Sequence, residues 1–249
     1  MFHLLGLQLR LLPILVFAEL RGYPRGFDLA KSSGWRQAFT PRRKQHSKTA
    51  SMNVPLKPIG DFVEETCRLL RQLDPNAIIR ARDLLLDCYR RGGRVFTLGN
   101  GGSASTAQHF ACDLAKFAIP PGERPFDARC LTDNVSLYTA WANDADRADV
   151  FVNVMRGVLQ PGDVVLACSV HGGKGFSADL VRAVRFANER GASTISLVGF
   201  DGGALGRDST VSIQVPVAST PQVEAIHLVI EHLLMSLIKQ ALGGSLDER

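Results

Sequence analysis

Apolar and polar positions follow two different spacings along the chain. Over residues 58–73 and 75–91, apolar side chains recur every three or four positions, which predicts two amphipathic helices. Pro75 is typical of a helix start, and the pair Gly92 and Gly93 is typical of a helix end. The sequence therefore predicts a helical hairpin ahead of the first strand.

Short apolar runs that alternate with helical patterns follow this hairpin. The predicted strands are residues 94–98, 164–169, 194–198 and 211–215, and a short segment at 128–131, to which no element is assigned, lies between the first two. The predicted helices run from the glycine turn at 99 to about 117, and over 134–142, 149–159, 177–190 and 222–242. Strands that alternate with helices are joined by right-handed crossovers into a parallel sheet. The predicted fold class is α/β, a doubly wound parallel sheet flanked by helices in three layers.

A glycine-rich turn follows the first predicted strand. Residues 99–110 read GNGGSASTAQHF, so small residues connect the strand to the N-terminus of a helix. The backbone there can approach a ligand closely, and the free N–H groups favour an anion. The spacing is neither that of a Walker loop nor that of a dinucleotide-binding turn. This turn predicts a phosphorylated or nucleotide ligand.

A second glycine-rich turn, SVHGGKG at 169–175, follows the third predicted strand. Ligands of doubly wound sheets bind at the carboxyl ends of the strands, so the two turns together are stronger evidence than either alone. Lys174 offers a charge to a phosphate and His171 a donor, although an ordinary surface turn is the alternative. Ser169 and Ser177 are the remaining hydroxyl candidates, and Ser177 fits equally well as the N-cap of the next helix.

Composition and charge are those of a soluble protein with a basic segment. Of 249 residues, 45% are hydrophobic and 21% are charged, and the formal net charge is +5. Much of that charge lies in the run RRKQHSK at 42–48, which is typical of a solvated tail rather than a nucleic-acid-binding arm. The five cysteines have no C-x-x-C spacing, which favours reduced thiols in a cytoplasmic protein. We therefore expect no nucleic-acid partner and no membrane partner.

The first 51 residues lack the periodicity of the rest. Residues 1–18 are apolar, but Arg10 interrupts them, and the absence of a positive n-region and a clean cleavage site disfavours an export signal. The run is also too short and broken for a transmembrane helix. Met52 precedes the first strong helix pattern, which favours either a translation start there or a disordered extension. The predicted domains are an extension over 1–51 and a single domain over 52–249.

Candidate acid–base and metal-binding groups lie on the helix after the first turn. His109 and Asp113 are spaced i, i+4, so they share one helix face. Three interpretations fit this pair: an acid and a base, two ligands of Zn²⁺, or an exposed helical pair without function.

The last predicted helix carries a second set of such groups. Its apolar stripe predicts that Glu224, Glu231 and His232 lie largely off the stripe and that His227 lies at its edge, as a packed or capping histidine. Glu224 and His232 are eight positions apart, about 12 Å along a regular helix. One straight helix can hardly present both to one metal ion. Either the helix starts late, or the ligands come from different subunits.

Residues 58–242 resemble the sugar isomerase (SIS) domain family. Within it they are most similar to phosphoheptose isomerases, which convert sedoheptulose 7-phosphate to D-glycero-D-manno-heptose 7-phosphate. The resemblance is carried, in family order, by GNGGSASTAQHFA at 99–111, TDNV at 132–135, AND at 142–144, PGDV at 161–164, GFDGG at 199–203 and VEAIHLVIEH at 223–232. Residues 1–51 have no counterpart in the family.

The resemblance implies a site, a cofactor and an assembly. It implies Asp113 as the catalytic base and His232 as its acid–base partner. Together with the two turns, it implies sugar-phosphate contacts at Asn100, Gly101, Gly102, Ser103, Asp133, Ser169, His171, Lys174 and Glu224. It implies a zinc ion held by His109, Asp113, Glu224 and His232. It also implies a homo-oligomer, expected to be a tetramer, whose other partner is a small sugar phosphate.

Three departures from the family pattern bear on the substrate. Asp113 stands where the family usually has Glu, Glu224 stands where Gln is common, and the second turn lacks the hydroxyls of the usual Ser-Thr-Ser-Gly-Asn-Ser. The leading hypothesis is a cytoplasmic isomerase that works through an enediol. The alternatives are a non-catalytic SIS module, which binds a sugar phosphate or associates with the replication initiator, and an isomerase of another phosphosugar. The intact set of Asp113, Glu224 and His232 favours an enzyme.

Overall fold

The computed structural model describes residues 56–245, so the expectations for residues 1–51 lie outside it. Helices α1 (Leu56–Arg71) and α2 (Pro75–Arg90) precede the first strand, as predicted. The start of α2 follows from its sequence, because the Asp74 carboxylate accepts a hydrogen bond from the backbone N–H of Asn76 and proline occupies the first helical position.

Five parallel strands form one sheet. They are β1 (Arg94–Gly99), β2 (Asp127–Cys130), β3 (Val164–Ser169), β4 (Ser193–Val198) and β5 (Val211–Gln214). Their order is β2-β1-β3-β4-β5, and every neighbouring pair is parallel. This is the flavodoxin-like order, so the predicted doubly wound sheet is confirmed. In the register of β1 with β3, Gly99 lies opposite Cys168. The two glycine-rich turns therefore begin side by side at the carboxyl edge.

Six helices of the described residues follow β1. They are α3 (Gly102–Ala115), α4 (Val135–Asp144), α5 (Val150–Met155), α6 (Ala178–Glu189), α7 (Gly203–Asp208) and α8 (Thr220–Ala241). The predicted helix over 149–159 is shorter than expected, because α5 ends at Met155 and a turn that contains Gly157 follows it. A 3-10 turn at Arg147–Asp149 precedes α5. Helix α7 was not predicted, since its sequence GALGRD carries little apolar periodicity.

Two apolar cores give the protein its three layers. One core packs α1, α2, α3 and α8 against one face of the sheet, and the other packs α4 to α7 against the opposite face. The central strand β3 is buried along its whole length, as its continuous apolar run predicted. Across residues 56–245, none of the helices has the length and apolar character needed to cross a membrane.

Candidate active site

The first glycine turn is shaped by close packing against α8. Gly101 has a positive φ of 56°, which favours glycine at the N-cap of α3. At Gly102, an added Cβ would lie 2.6 Å from the Glu224 Oε1, so a side chain at this position would displace that carboxylate. The structure therefore places Glu224, from the first turns of α8, directly against the turn.

Other predicted contacts surround this turn through hydrogen bonds of their own. The Asn100 amide donates to both carboxylate oxygens of Asp179 in α6, at 3.1 and 3.0 Å, which ties the first turn to the helix that follows the second. Asp133 accepts a hydrogen bond from the Gln108 amide at 2.8 Å. Ser103 and Ser169 are both buried. Asn100, Ser103 and Ser169 thus lie at the carboxyl edge between β1 and β3, and Asp133 lies on the other side of β1, after β2.

Helices α3 and α8 bring two histidines and a carboxylate together. The Nε2 atoms of His109 and His232 lie 3.0 Å apart. The Asp113 Oδ2 lies 3.4 Å from the His109 Nε2 and 3.6 Å from the His232 Nε2. The side chain of Asp113 is 6% exposed, whereas each histidine side chain is 48% exposed. The carboxylate therefore sits at the base of a site that opens to solvent past the two imidazoles.

The three donor atoms fit a zinc ion. Bonds of about 2.0–2.1 Å in a tetrahedral arrangement place neighbouring ligand atoms about 3.3 Å apart, close to the 3.0, 3.4 and 3.6 Å measured here. Imidazole nitrogen and carboxylate oxygen are also typical zinc ligands. Among residues 56–245, this is the one group of at least three His, Cys, Asp or Glu side chains whose donor atoms lie within 4.8 Å of one another.

Glu224 does not join this group, although the resemblance implied that it would. Helix α8 begins at Thr220, before Glu224, so a late helix start is excluded. Glu224 and His232 lie on one continuous helix, which keeps the two side chains apart within one chain. In the structure, His232 lies in the cluster with His109 and Asp113, and Glu224 lies against the first glycine turn.

The second turn is organised differently from the expected phosphate cradle. The Lys174 ammonium lies 2.6 Å from the Asp201 carboxylate after β4, so its charge already has a partner. The His171 ring packs on Phe200, with 4.5 Å between ring centroids. Both predicted phosphate contacts thus face the segment after β4, and β4 lies across β3 from the first turn. Ser177 occupies the N-cap position of α6, but its side chain makes no capping hydrogen bond.

Burial of one polar residue of α8, Glu231, was not expected from the sequence, whereas His227 is packed, which is one of the two outcomes predicted for it. Glu231 is fully buried, so the expectation that it lies off the apolar stripe is wrong. Its Oε1 lies 3.6 Å from the Cys168 Sγ, and its Oε2 has no hydrogen-bond partner among the described residues. His227 is also buried. The sequence carried a sign of this burial. His227 and Glu231 directly follow the isoleucines of the apolar stripe at 226 and 230, which are buried.

Burial shifts the pKa of both groups towards their neutral forms. Loss of hydration raises the pKa of Glu231 to about 9, and the nearby Asp113 charge adds to this, while the Cys168 contact opposes it. Loss of hydration lowers the pKa of His227 to about 4. The site therefore rests on a core in which a carboxyl and an imidazole are uncharged near neutral pH.

Glu231→Gln should stabilise the protein at alkaline pH. In the unfolded chain this carboxyl titrates near 4.5, whereas in the fold it titrates near 9. The stabilisation from the neutral carboxyl is therefore complete below pH 4.5 and is lost as pH rises towards 9. The amide side chain does not titrate, so the variant has no such loss. At pH 8 the free energy of unfolding of Glu231→Gln should therefore exceed that of the wild type by on the order of a few kcal/mol.

Denaturant unfolding at pH 5 and pH 8 measures this effect. The difference between variant and wild type should shrink at pH 5. The exposed residue Glu189 supplies a matched control, because Glu189→Gln should not change the pH dependence. If Glu231→Gln changed the free energy of unfolding by the same amount at pH 5 and pH 8, the result would contradict a carboxyl that is buried in its neutral form.

The sequence and the fold of this chain are similar to those of known proteins. A family model described as SIS domain matches residues 61–199. The lincomycin biosynthesis protein LmbN of Streptomyces lincolnensis is 40% identical over 204 residues, 79% of this chain and 72% of that protein. A phosphoheptose isomerase of Mycobacterium tuberculosis is 36% identical over 185 residues, 73% of this chain and 92% of that protein. The structure of phosphoheptose isomerase GmhA from Neisseria gonorrhoeae is similar with a TM-score of 0.67 and 28% identity, covering 74% of this chain and 98% of that one.

Proposed function

The chain belongs to the SIS domain family, and on that basis we propose that it is a phosphosugar isomerase that converts sedoheptulose 7-phosphate to D-glycero-D-manno-heptose 7-phosphate. The observation that carries the proposal is the cluster of His109, Asp113 and His232. Its two members on α3, His109 and Asp113, lie about two and three helical turns beyond the glycine turn. An anion site and an acid–base group on one helix are what the isomerisation of a sugar phosphate requires.

The cluster has the groups for proton transfer through an enediol. Asp113 takes the proton from C1 of the ketose and returns it to C2, which yields the aldose. Both imidazole nitrogens face the Oδ2 of Asp113, so we assign the proton transfer to the other oxygen, Oδ1. The imidazole of His232 gives a proton to O2 of the ketose as negative charge develops there, and it takes the proton of the O1 hydroxyl when the aldehyde forms. Because Asp113 is one methylene shorter than the usual Glu, C1 must lie closer to α3.

The phosphate is assigned to the first turn. Backbone N–H groups at the N-terminus of α3 point towards an anion there, and no side chain caps them. The Glu224 carboxylate beside Gly102 borders the same space, where it accepts hydrogen bonds from sugar hydroxyls. The second turn contributes Ser169 at its start, whereas Lys174 is paired with Asp201.

A zinc ion in this site would be held by His109, Asp113 and His232. When bound, Zn²⁺ acts as a Lewis acid that polarises the carbonyl oxygen of the sugar. His109→Ala should weaken zinc binding by at least about tenfold, because one of three ligands is lost. Competition with a chromogenic chelator measures the affinity. The neighbouring exposed thiol supplies the control: Cys112→Ala should bind zinc as the wild type does. Equal affinity in His109→Ala would exclude this ligand set.

The activity is tested by incubating the purified protein with sedoheptulose 7-phosphate, with and without chelator, and following the aldose by NMR. Fructose 6-phosphate serves as the second substrate. We expect the heptose 7-phosphate from the first substrate and little turnover of the second. Turnover of fructose 6-phosphate alone would support an isomerase of another sugar. Binding of both sugars without turnover would support a non-catalytic module.

We also propose a homotetramer in the cytoplasm. Exposed apolar side chains lie on α1 and α8, where a second copy would cover them; they are Ile59, Phe62, Val63, Val229 and Leu233. All five cysteines are free thiols, which favours a reducing compartment. Light scattering of the purified chain measures the mass of the assembly.

A further inference from the structure

Asn100, the second residue of the first glycine turn, is tied to a buried carboxylate. Its amide nitrogen lies 3.1 and 3.0 Å from the two oxygens of Asp179. Asp179 belongs to the first turn of α6 and is only 6% exposed. A carboxylate is seldom so deeply buried unless it is paired, and the proposed isomerisation gives Asp179 no role.

The contact fixes which way the Asn100 amide points. A carboxylate only accepts hydrogen bonds, so the amide nitrogen, and not the carbonyl oxygen, must face Asp179. The carboxylate is itself held in place, because its Oδ1 also accepts a hydrogen bond from the backbone N–H of Leu180 at 2.9 Å. Within residues 56–245, Asn100 makes its side-chain hydrogen bonds through the amide nitrogen alone. The carbonyl oxygen is therefore left as an acceptor for a ligand.

An acceptor at this place distinguishes the two parts of a sugar phosphate. A sugar hydroxyl can donate to the Asn100 Oδ1, whereas a phosphate dianion has no proton to donate and is repelled by a carbonyl oxygen. The Asp179 charge behind the amide adds to this repulsion. The backbone N–H groups at the N-terminus of α3, which begins two positions further on, suit the phosphate instead. The first turn thus has a hydroxyl end and a phosphate end.

We propose that Asp179 is a positioning residue, which holds the Asn100 carbonyl oxygen towards the ligand so that Asn100 binds a sugar hydroxyl and not the phosphate. The inference rests on the proposed sugar-phosphate site and adds to it a residue that itself touches no ligand. Because Asp179 acts only through Asn100, its substitution should have no further effect on binding once the Asn100 side chain is removed.

A double-mutant cycle with sedoheptulose 7-phosphate tests this dependence. In Asp179→Asn, the backbone N–H of Leu180 should hold the new carbonyl oxygen, so the new amide nitrogen meets that of Asn100 and turns it over. We expect KM to rise by about fivefold, with a smaller change in kcat, since a contact already made in the ground state is lost. In an Asn100→Ala background, the same substitution should change KM by less than about twofold.

Inorganic phosphate, used as a competitive inhibitor, separates the two ends of the turn. Its Ki should stay the same or fall in Asp179→Asn, because the substitution removes a charge that repels phosphate. Glu189→Gln, at the exposed end of the same helix, should change neither KM nor Ki. Thermal melting checks that each variant is folded. Asp179→Ala leaves the Asn100 amide free to turn and should also raise KM, so it replaces Asp179→Asn if that variant does not fold.

Three outcomes would overturn the proposal. They are an unchanged KM in Asp179→Asn, an equal rise in KM with and without the Asn100 side chain, and a rise in the Ki of phosphate by the same factor as KM. Absence of turnover by the wild type would contradict the isomerase alone. The Kd of sedoheptulose 7-phosphate, measured by calorimetry, then replaces KM in the same cycle and still tests Asp179.

Discussion

Asp113→Asn should lower kcat for sedoheptulose 7-phosphate by about 10²–10⁴-fold, the usual contribution of a general base. The amide keeps the size of the carboxyl but cannot take the proton from C1. Because Asp113 is the one member of the cluster that is almost fully buried, no water molecule can readily replace it as the base. Steady-state kinetics on the purified variant measures the effect.

Two further variants make this test specific. Asp113→Glu restores the longer side chain of the family and should keep most of the activity. Cys112→Ala alters the exposed neighbour in the chain and should leave kcat unchanged. An Asp113→Asn protein with the kcat of the wild type would remove Asp113 from the reaction.

His232→Ala should lower kcat by a similar factor, about 10²–10⁴-fold, with little effect on stability. The Nε2 atom of His232 lies 3.0 Å from the His109 Nε2 and 3.6 Å from the Asp113 Oδ2, so its loss removes a proton donor from the metal-free site or a ligand from the zinc-loaded site. Since the side chain is 48% exposed, its removal leaves no core cavity. Kinetics and thermal melting on the same sample separate the two effects.

A control on the same helix makes the result for His232 interpretable. Gln240→Ala changes an exposed residue two turns further along α8 and should leave both kcat and melting temperature unaltered. A His232→Ala protein in which KM alone rises, with kcat intact, would make His232 a binding residue rather than an acid–base partner.

Much of the framework follows from local patterns in the sequence. The apolar run at 164–169 and the glycine turn at 99 each specify their own backbone, because burial on both faces and close backbone approach leave few alternatives. The pairing of His109 with Asp113 is similarly local, being set by the i, i+4 spacing of one helix. The family resemblance supplied His232, which spacing alone does not connect to α3.

The remaining features depend on contacts between distant segments. The partner of Lys174 is Asp201, 27 positions away, and only the packing of β3 beside β4 brings the two together. Glu231 is buried because its side of α8 packs against the sheet, where its Oε1 lies 3.6 Å from the Cys168 Sγ of β3. A buried carboxyl is uncommon, so the sequence pattern does not predict it. Such tertiary effects override the local pattern and are not visible in one sequence.

The central claim is that the cluster of His109, Asp113 and His232 moves a proton between two sugar carbons. Turnover of sedoheptulose 7-phosphate in D2O tests it most directly, with NMR and mass analysis of the aldose. Because both histidines are half exposed, the proton held by Asp113 exchanges with solvent between its removal and its return. The account predicts deuterium at C2 of the heptose 7-phosphate formed by the wild type, and formation of labelled product by Asp113→Asn that is slower by about 10²-fold or more. Aldose that carries no deuterium, or labelled aldose formed equally fast by Asp113→Asn, would contradict it.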